Sequence, residues 1–253
     1  MKIFKDKRTR VFIIIMGTLF IIAGAITYFY YDYQDKYIDP RTIEAYAMYE
    51  KYNELARNSD YEAIFQLMNS IEDIYTKTPH YAESYEVGVL YNNRAAAYVA
   101  MAISPAINDS IVKDSLFNLA KINTSKSIEI YTDWLDKWQG KNQEEVKEML
   151  KPHFNENDAI FKNQEIEKYI NRRAKQIEEA RLETPRRLSV SYTNKGIIYR
   201  HKGEYELAAL EYFKALELWP DNLAAENNLS ILLDKPVKKR SLLRRFFPKS
   251  RIE

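Results

Sequence analysis

The side chains that carry out metal or nucleophilic chemistry are few in this chain. Histidine occurs three times, at His80, His153 and His201, and cysteine not at all. No two of these histidines stand three or four residues apart, the separation that puts two ligands on one helix face. The absence of cysteine excludes disulfides, thiolate metal sites, a cysteine nucleophile and a lipidated N-terminal cysteine. No phosphate-binding P-loop, no Gly-x-Gly-x-x-Gly and no Gly-x-Ser-x-Gly occurs. The 36 carboxylates lie along charged helical patterns, where a solvated face is their ordinary role and a general acid and base pair is not. Binding is therefore expected here, with no enzyme activity, no metal and no cofactor.

Charge narrows the choice of partner. With 38 basic against 36 acidic residues the chain has no broad cationic excess for a nucleic-acid backbone, and nucleic acid is not expected as a ligand. The asymmetry sits at the ends. Lys235 to Arg251, KPVKKRSLLRRFFPKSR, holds eight cations interleaved with Leu242, Leu243, Phe246 and Phe247, and no acid stands between Asp234 and Glu253. The 235–253 tail is compatible with an anionic lipid surface, where each nearby cation contributes about 1 kcal/mol, with an acidic protein partner, and with an unstructured tail.

At the other end Val11 to Tyr31, VFIIIMGTLFIIAGAITYFYY, is without a charged residue. As a helix rising about 1.5 Å per residue it is long enough to cross the roughly 30 Å hydrocarbon core. Lys2, Lys5, Lys7, Arg8 and Arg10 precede it against a single Asp6, whereas Asp32, Asp35 and Asp39 follow it with only Lys36 and Arg41. The positive-inside rule then predicts a cytoplasmic 1–10, a transmembrane helix over 11–31 and everything after it outside, in the periplasm of a Gram-negative cell. Tyr28, Phe29, Tyr30, Tyr31 and Tyr33 cluster where an interfacial aromatic belt belongs. Ala23-Gly24-Ala25 also fits a signal-peptidase site, and both readings carry the remainder across the inner membrane. Residues 32–41 read as a linker.

Beyond the linker, scarce glycine and proline, 6 and 8 residues, and a pattern of Ala, Leu, Ile, Tyr, Glu and Lys predict helices joined by short turns. The best internal unit is Ser189 to Asn222, two helical patterns divided at Lys202-Gly203-Glu204. Its markers are Tyr192, Gly196, Tyr199, Gly203, Tyr205, Ala208, Tyr212, Ala215 and Pro220. In these residues the sequence resembles the tetratricopeptide repeat (TPR) family, with Lys195 departing where the family usually has leucine. Gly196 and Ala208 are small where two helices approach closely, Tyr199 and Tyr212 fill the space beside them, Gly203 permits the turn and Pro220 ends the second helix. Leu223 to Leu233 reads as a capping helix, which makes 189–234 one repeat plus cap.

The preceding 42–188 reads as a degenerate version of the same architecture. Ile43 to Arg57 and Tyr61 to Lys77 form one hairpin. Gly88 to Met101 pairs with Ala120 to Trp134 in another, with Ala95 at the small position and Ala120, Ser127 and Thr132 in the second helix. Gln143 to Leu150 is a short helix. Asn155 to Glu183 is a long one whose narrow stripe of Ile166, Ile170, Ala174, Ile177 and Ala180 packs on neighbours or forms a short coiled-coil seam. The expected fold is all-α, a TPR-like helical-hairpin solenoid following a single N-terminal transmembrane helix.

The resemblance implies that the first helix of each hairpin lines a concave groove for a protein or peptide. The implied groove residues are Asn92, Asn93, Ala96 and Val99, then Thr193, Ile197, Arg200 and His201, then Asn227 and Ile231 in the cap. In some co-chaperones of the family an asparagine at the place of Asn93 helps clamp a partner's C-terminal carboxylate. The 20 tyrosines suit interfaces and packing alike. The expected function is a membrane-anchored scaffold in a cell-envelope complex; the alternative is a chaperone-like holder of exported unfolded chains.

Overall fold

In the computed structural model of the chain the described residues are 7–239; within the first helix, side chains are described for Ile13 and residues 15–28, and again from Lys36 onward. The chain is all-α, with no strand among the described residues. Helix α1 runs Lys7–Lys36, and its described aliphatic and aromatic side chains, Leu19, Phe20, Ile22 and Ile26 among them, are exposed. Among the described residues no helix is long and apolar enough to cross a membrane, and both ends of the predicted 11–31 span lie outside the described side chains.

The predicted linker is not one. Residues 32–36 continue α1, and the chain after it is packed into the domain. Tyr37 is 7% exposed and meets Tyr169 edge-on at 5.5 Å between ring centroids. Asp39 is buried and accepts from Arg41 through Nε at 2.9 Å and Nη2 at 2.7 Å. The Arg41 guanidinium lies over Phe161 at 4.8 Å and Phe154 at 5.2 Å, so a charged fork stacked on two rings pins this segment.

Three short helices follow, α2 Ile43–Tyr49, α3 Tyr52–Asn58 and α4 Tyr61–Lys77. The predicted first member of this hairpin is divided at Glu50-Lys51, where the Lys51 N–H bonds three residues back to Met48. Ser59 turns the chain with φ +56, and the Asp60 carboxylate caps α4 through the Ala63 N–H at 3.1 Å.

Helices α5 Tyr85–Ile103 and α6 Ser110–Trp138 form a long hairpin. Helix α7 Gln143–Leu150 opens with a capping box between Asn142 and Glu145. Helix α8 then runs Ile166–His201 without interruption, α9 spans Tyr205–Leu218 and α10 Leu223–Leu232. Two expectations are corrected by α8. It starts at Ile166, because 155–165 form loop and a single 3-10 turn at Ala159–Phe161 that buries Phe161. It also passes through the boundary drawn at 188/189, with Pro185 inside it. Proline in a helix interior removes one backbone bond. Packing on both sides outweighs that loss: Ile177, Ala180, Thr184, Leu188 and Ser191 are all buried.

The stripe on α8 is filled from within the chain. Ile170, Ala174, Ile177 and Ala180 share a core with Trp134, Trp138, Leu150, Phe154 and Phe161, which leaves no apolar seam there for a coiled coil.

The two hairpins repeat one close contact. A methyl group added at Gly196 would stand 2.4 Å from the Tyr212 ring, and one added at Gly88 would stand 2.6 Å from the Tyr131 ring. Gly88, not Ala95, is therefore the small position of the α5–α6 hairpin, and Ser127 and Tyr131 answer to Ala208 and Tyr212. The expected register was displaced by seven residues, two turns, in both helices. The separation of 43 residues between Gly88 and Tyr131, against 16 between Gly196 and Tyr212, is taken up almost wholly by longer helices on either side of the 104–109 connection.

In the C-terminal hairpin Tyr199, Ala208, Tyr212 and Ala215 are buried as expected, and Gly203 takes φ +79 at the turn. Tyr192 is half-buried beneath the Lys214 ammonium at 5.5 Å, and Pro220 is exposed just past the end of α9. Tyr205 is corrected from a packing residue to a surface one, 57% exposed, because it sits on the outer side of the first turn of α9. Lys195, the departure from leucine, points its ammonium at the buried Glu211 of α9 at 3.6 Å.

Candidate functional site

The residues expected to line a groove fall into three environments. Val99 and Thr193 are 7% and 3% exposed, which takes both off any open surface. Val99 is covered by Leu116 and Phe117 from the N-terminal extension of α6, and the Thr193 hydroxyl donates to the Ser189 carbonyl at 2.8 Å while accepting from Asn222 at 2.9 Å. Three asparagines are occupied internally. Asn92 Oδ1 accepts from Ser191 Oγ and Asn194 Nδ2, each at 3.0 Å, and Asn93 Nδ2 donates to Tyr49 Oη at 2.7 Å. Asn227 pairs with the backbone of Lys238, accepting its N–H at 2.8 Å and donating to its carbonyl at 3.0 Å. A carboxylate clamp at Asn93 would have to break the bond to Tyr49. Ala96, Ile197 and Arg200 are half-buried. His201 is exposed but stacked on Phe117 at 5.4 Å, and Ile231 is exposed on α10.

The fold also brings together chemistry-bearing side chains in its interior. Arg173 of α8 meets Glu86 of α5 at 2.6 Å (Nη1 to Oε1) and 3.3 Å (Nη2 to Oε2), both buried, with the guanidinium 4.0 Å above the Tyr81 ring. Burial by itself raises the Glu86 pKa. The charge and hydrogen bonds of Arg173 overcome that and hold the carboxyl below its usual range. His80, at φ +62, has a buried Nε2 without a partner and lies 5.3 Å from the His153 ring. Burial first, then Arg173, His153, Arg41 and Lys137, push its pKa far down, so the ring is neutral in the fold. Among the described residues no group of three or more His, Cys, Asp or Glu has an arrangement that holds a metal.

Two of the open surfaces among the described residues combine apolar side chains with access from solvent. Between α4 and α6, above α5, lies a cavity of about 310 Å³ whose apolar floor is Val87, Tyr91, Ile130 and Trp134. Its walls carry four carboxylates, Glu72, Glu83, Glu129 and Asp133, against the ammoniums of Lys126 and Lys137. Lys126 pairs with Glu129 at 3.1 Å and Lys137 lies 3.9 Å from Glu83, whereas Asp133 has no ion pair among the described residues. The second surface runs from the α5–α6 connection along the first turns of α6, where Ile111, Leu119 and Ile122 are exposed, Ile111 to 80%, with Ile103 exposed at the end of α5. The cavity was not legible in the sequence, since its lining comes from three helices in different faces and registers. Compared with known proteins, the chain matches no family model, no curated protein and no solved structure.

Proposed function

We propose that this chain is a membrane-anchored scaffold of TPR-like hairpins, which binds a protein partner in a cell-envelope complex and holds it at the end of the domain remote from α1. One observation carries the reading: a single helix joins the anchor junction to the apolar tip. Tyr169, near the start of α8, packs on Tyr37 just after α1, while Ile198, near its end, packs with Val99, Leu116 and Phe117 below the tip. The 29 residues between them rise about 44 Å along the helix. The exposed side chains of α1 and the uncharged 11–31 run support a membrane-spanning α1, and the repeated Gly–Tyr contact supports the hairpin-repeat relation. Large aliphatic side chains exposed at the hairpin connection and along the adjoining turns of α6 favour a partner that offers an apolar helix or strand. Only part of the expected concave face remains for it: Ala96, Ile197, Arg200, His201 and Ile231.

The test is an in-cell crosslinking pull-down comparing wild type, Ile111→Glu/Ile122→Glu and Arg200→Glu. Recovery of one stoichiometric envelope partner that the double variant loses supports the tip. A partner retained by the double variant and lost with Arg200→Glu returns the site to the concave face. Weak capture of many extended chains by all three selects the chaperone-like holder.

A further inference from the structure

We infer that Arg187, on the face that α5 and α8 share, is the docking point for an acidic side chain of a protein partner. The inference rests on the scaffold reading for the existence of that partner, and it names the chemistry of one contact which that reading leaves open.

Arg187 is set apart from the arginines around it on α8. Arg173 is bound to Glu86, Arg181 donates to the carbonyls of Trp138 and Lys141 at 3.1 and 2.6 Å, and Arg186 pairs with Glu183 at 3.0 Å. Glu86 and Glu183 are thereby spent. Arg187 has no hydrogen bond or ion pair among the described residues, and its Nη1 is buried without a partner. The guanidinium lies 4.8 Å over the ring of Tyr85, at the start of α5, and its charge also reaches the phenols of Tyr49 and Tyr131. Stacking occupies the flat face of a guanidinium and leaves its N–H edge free for a ligand in the plane. A half-buried cation whose donors stay unmet is costly, and a carboxylate supplied from outside the chain removes that cost.

The surroundings select the ligand. Arg187, Val190 and Asn194 follow one another at helical spacing along α8 and are each half-buried; Val89, Asn93 and Ala96 do the same along α5. Asn92 accepts from both Ser191 and Asn194, which lays the two strips side by side. These six residues hold one charge and no carboxylate, so an arriving acid meets no like charge among them. The neighbouring amides are already used, Asn93 on Tyr49 and Asn194 on Asn92. A chain terminus held by several donors finds only the guanidinium here. A side-chain carboxylate needs no more than that, because one guanidinium satisfies it through two parallel N–H bonds. The ligand is accordingly an Asp or Glu inside a partner segment, with aliphatic neighbours that rest on Val89 and Val190.

The experiment follows phenylglyoxal modification of Arg187 by mass spectrometry, in the full-length chain in phosphatidylcholine nanodiscs, with Arg200 as the internal reference. The probes are acetyl-Leu-Glu-Leu-Ala-amide, its Gln counterpart, the Gln peptide with a free terminal carboxyl, and inorganic phosphate. The Glu peptide is expected to slow modification of Arg187 severalfold relative to Arg200, and the Gln amide to leave it unchanged. The protection should fade on raising salt from about 50 to about 500 mM. Equal rates with the Glu and Gln amides overturn the proposal, as does protection by phosphate or by the free terminal carboxyl without protection by the Glu peptide. The assay reads the wild-type chain, so no variant has to fold for it. An envelope partner retained by the Ile111→Glu/Ile122→Glu chain counts against the scaffold reading and leaves this readout unchanged, so the two proposals fail separately.

Discussion

Arg173 and Glu86, 87 residues apart in sequence, face each other across the α5–α8 contact with Nη1 2.6 Å from Oε1 and neither side chain open to solvent. A buried pair of this kind contributes little net stability while both charges are present, but either charge left alone is strongly unfavourable. Replacing Arg173 with Met, or Glu86 with Leu, is expected to cost about 3–5 kcal/mol, and the Glu86→Leu/Arg173→Met chain much less than the sum of the two. Urea denaturation of the four chains measures this coupling; additive losses would show that the two charges do not depend on each other.

Gly88 and Gly196 should resist substitution although alanine is the better helix former by about 1 kcal/mol. The added methyl lands 2.6 Å from the Tyr131 ring and 2.4 Å from the Tyr212 ring, both buried in their hairpins. Overpacking of this kind costs typically 1–3 kcal/mol, which outweighs the propensity gain. Each Gly→Ala change should lower the thermal midpoint, and Tyr212→Leu placed in the Gly196→Ala background should recover part of the loss. A midpoint that rises on Gly88→Ala would remove the equivalence drawn between the two hairpins.

Stability should decline on mild acidification through His80. The groups facing it are His153, Arg41, Lys137 and Arg173, all cationic or able to become so, and with burial they keep His80 neutral in the fold. In the unfolded chain His80 titrates near 6.5. As pH falls below that value the unfolded state takes up a proton that the native state refuses, so the stability contribution present above about pH 6.5 is lost progressively. His80→Asn removes the titration and keeps a residue tolerant of positive φ. Unfolding free energies at pH 7.5 and 5.5 should differ less in this variant than in wild type; an unchanged difference would assign the acid sensitivity elsewhere.

Tyr37 should control how firmly α1 is joined to the domain. Its ring contacts Tyr169, and its hydroxyl accepts from Lys168 Nζ at 3.1 Å. Tyr37→Ala is expected to leave helical content intact while speeding tryptic cleavage after Lys36 and Arg41 in the full-length chain. Equal cleavage rates in the two chains would mean that the Arg41 stack alone secures the junction.

Much of the helical content was legible because it rests on short-range rules. The 3.6-residue spacing of apolar side chains and the Lys202-Gly203-Glu204 turn each act within a few residues, and Tyr61–Lys77, Gln143–Leu150 and the turn at Gly203 occur where expected. The C-terminal hairpin was the clearest, since its small and large residues stand at the separations that two close helices require. The register of α5–α6 was harder to read. Several small residues, Gly88, Ala95, Ala96 and Ala97, lie along one helix, and only the Tyr131 ring lying over Gly88 distinguishes among them. A glycine in the interior of a helical pattern was the available signal.

Composition and spacing by themselves determined an all-helical chain with one strongly apolar N-terminal run, a basic tail and no histidine or cysteine set at metal-ligand spacing. Tertiary structure decided which helices are continuous, which polar residues are already spent and which surfaces stay open. The helix end drawn at Glu183 and the 32–41 segment read locally as breaks, yet burial of Leu188, Ser191, Tyr37 and Asp39 holds both in place, because packing summed over many residues exceeds a single lost backbone bond. Asn92, Asn93 and Thr193 were expected at a groove from their phase alone. Partners between 29 and 102 residues away absorb their hydrogen bonds, and no local rule encodes contacts made across such distances in the chain.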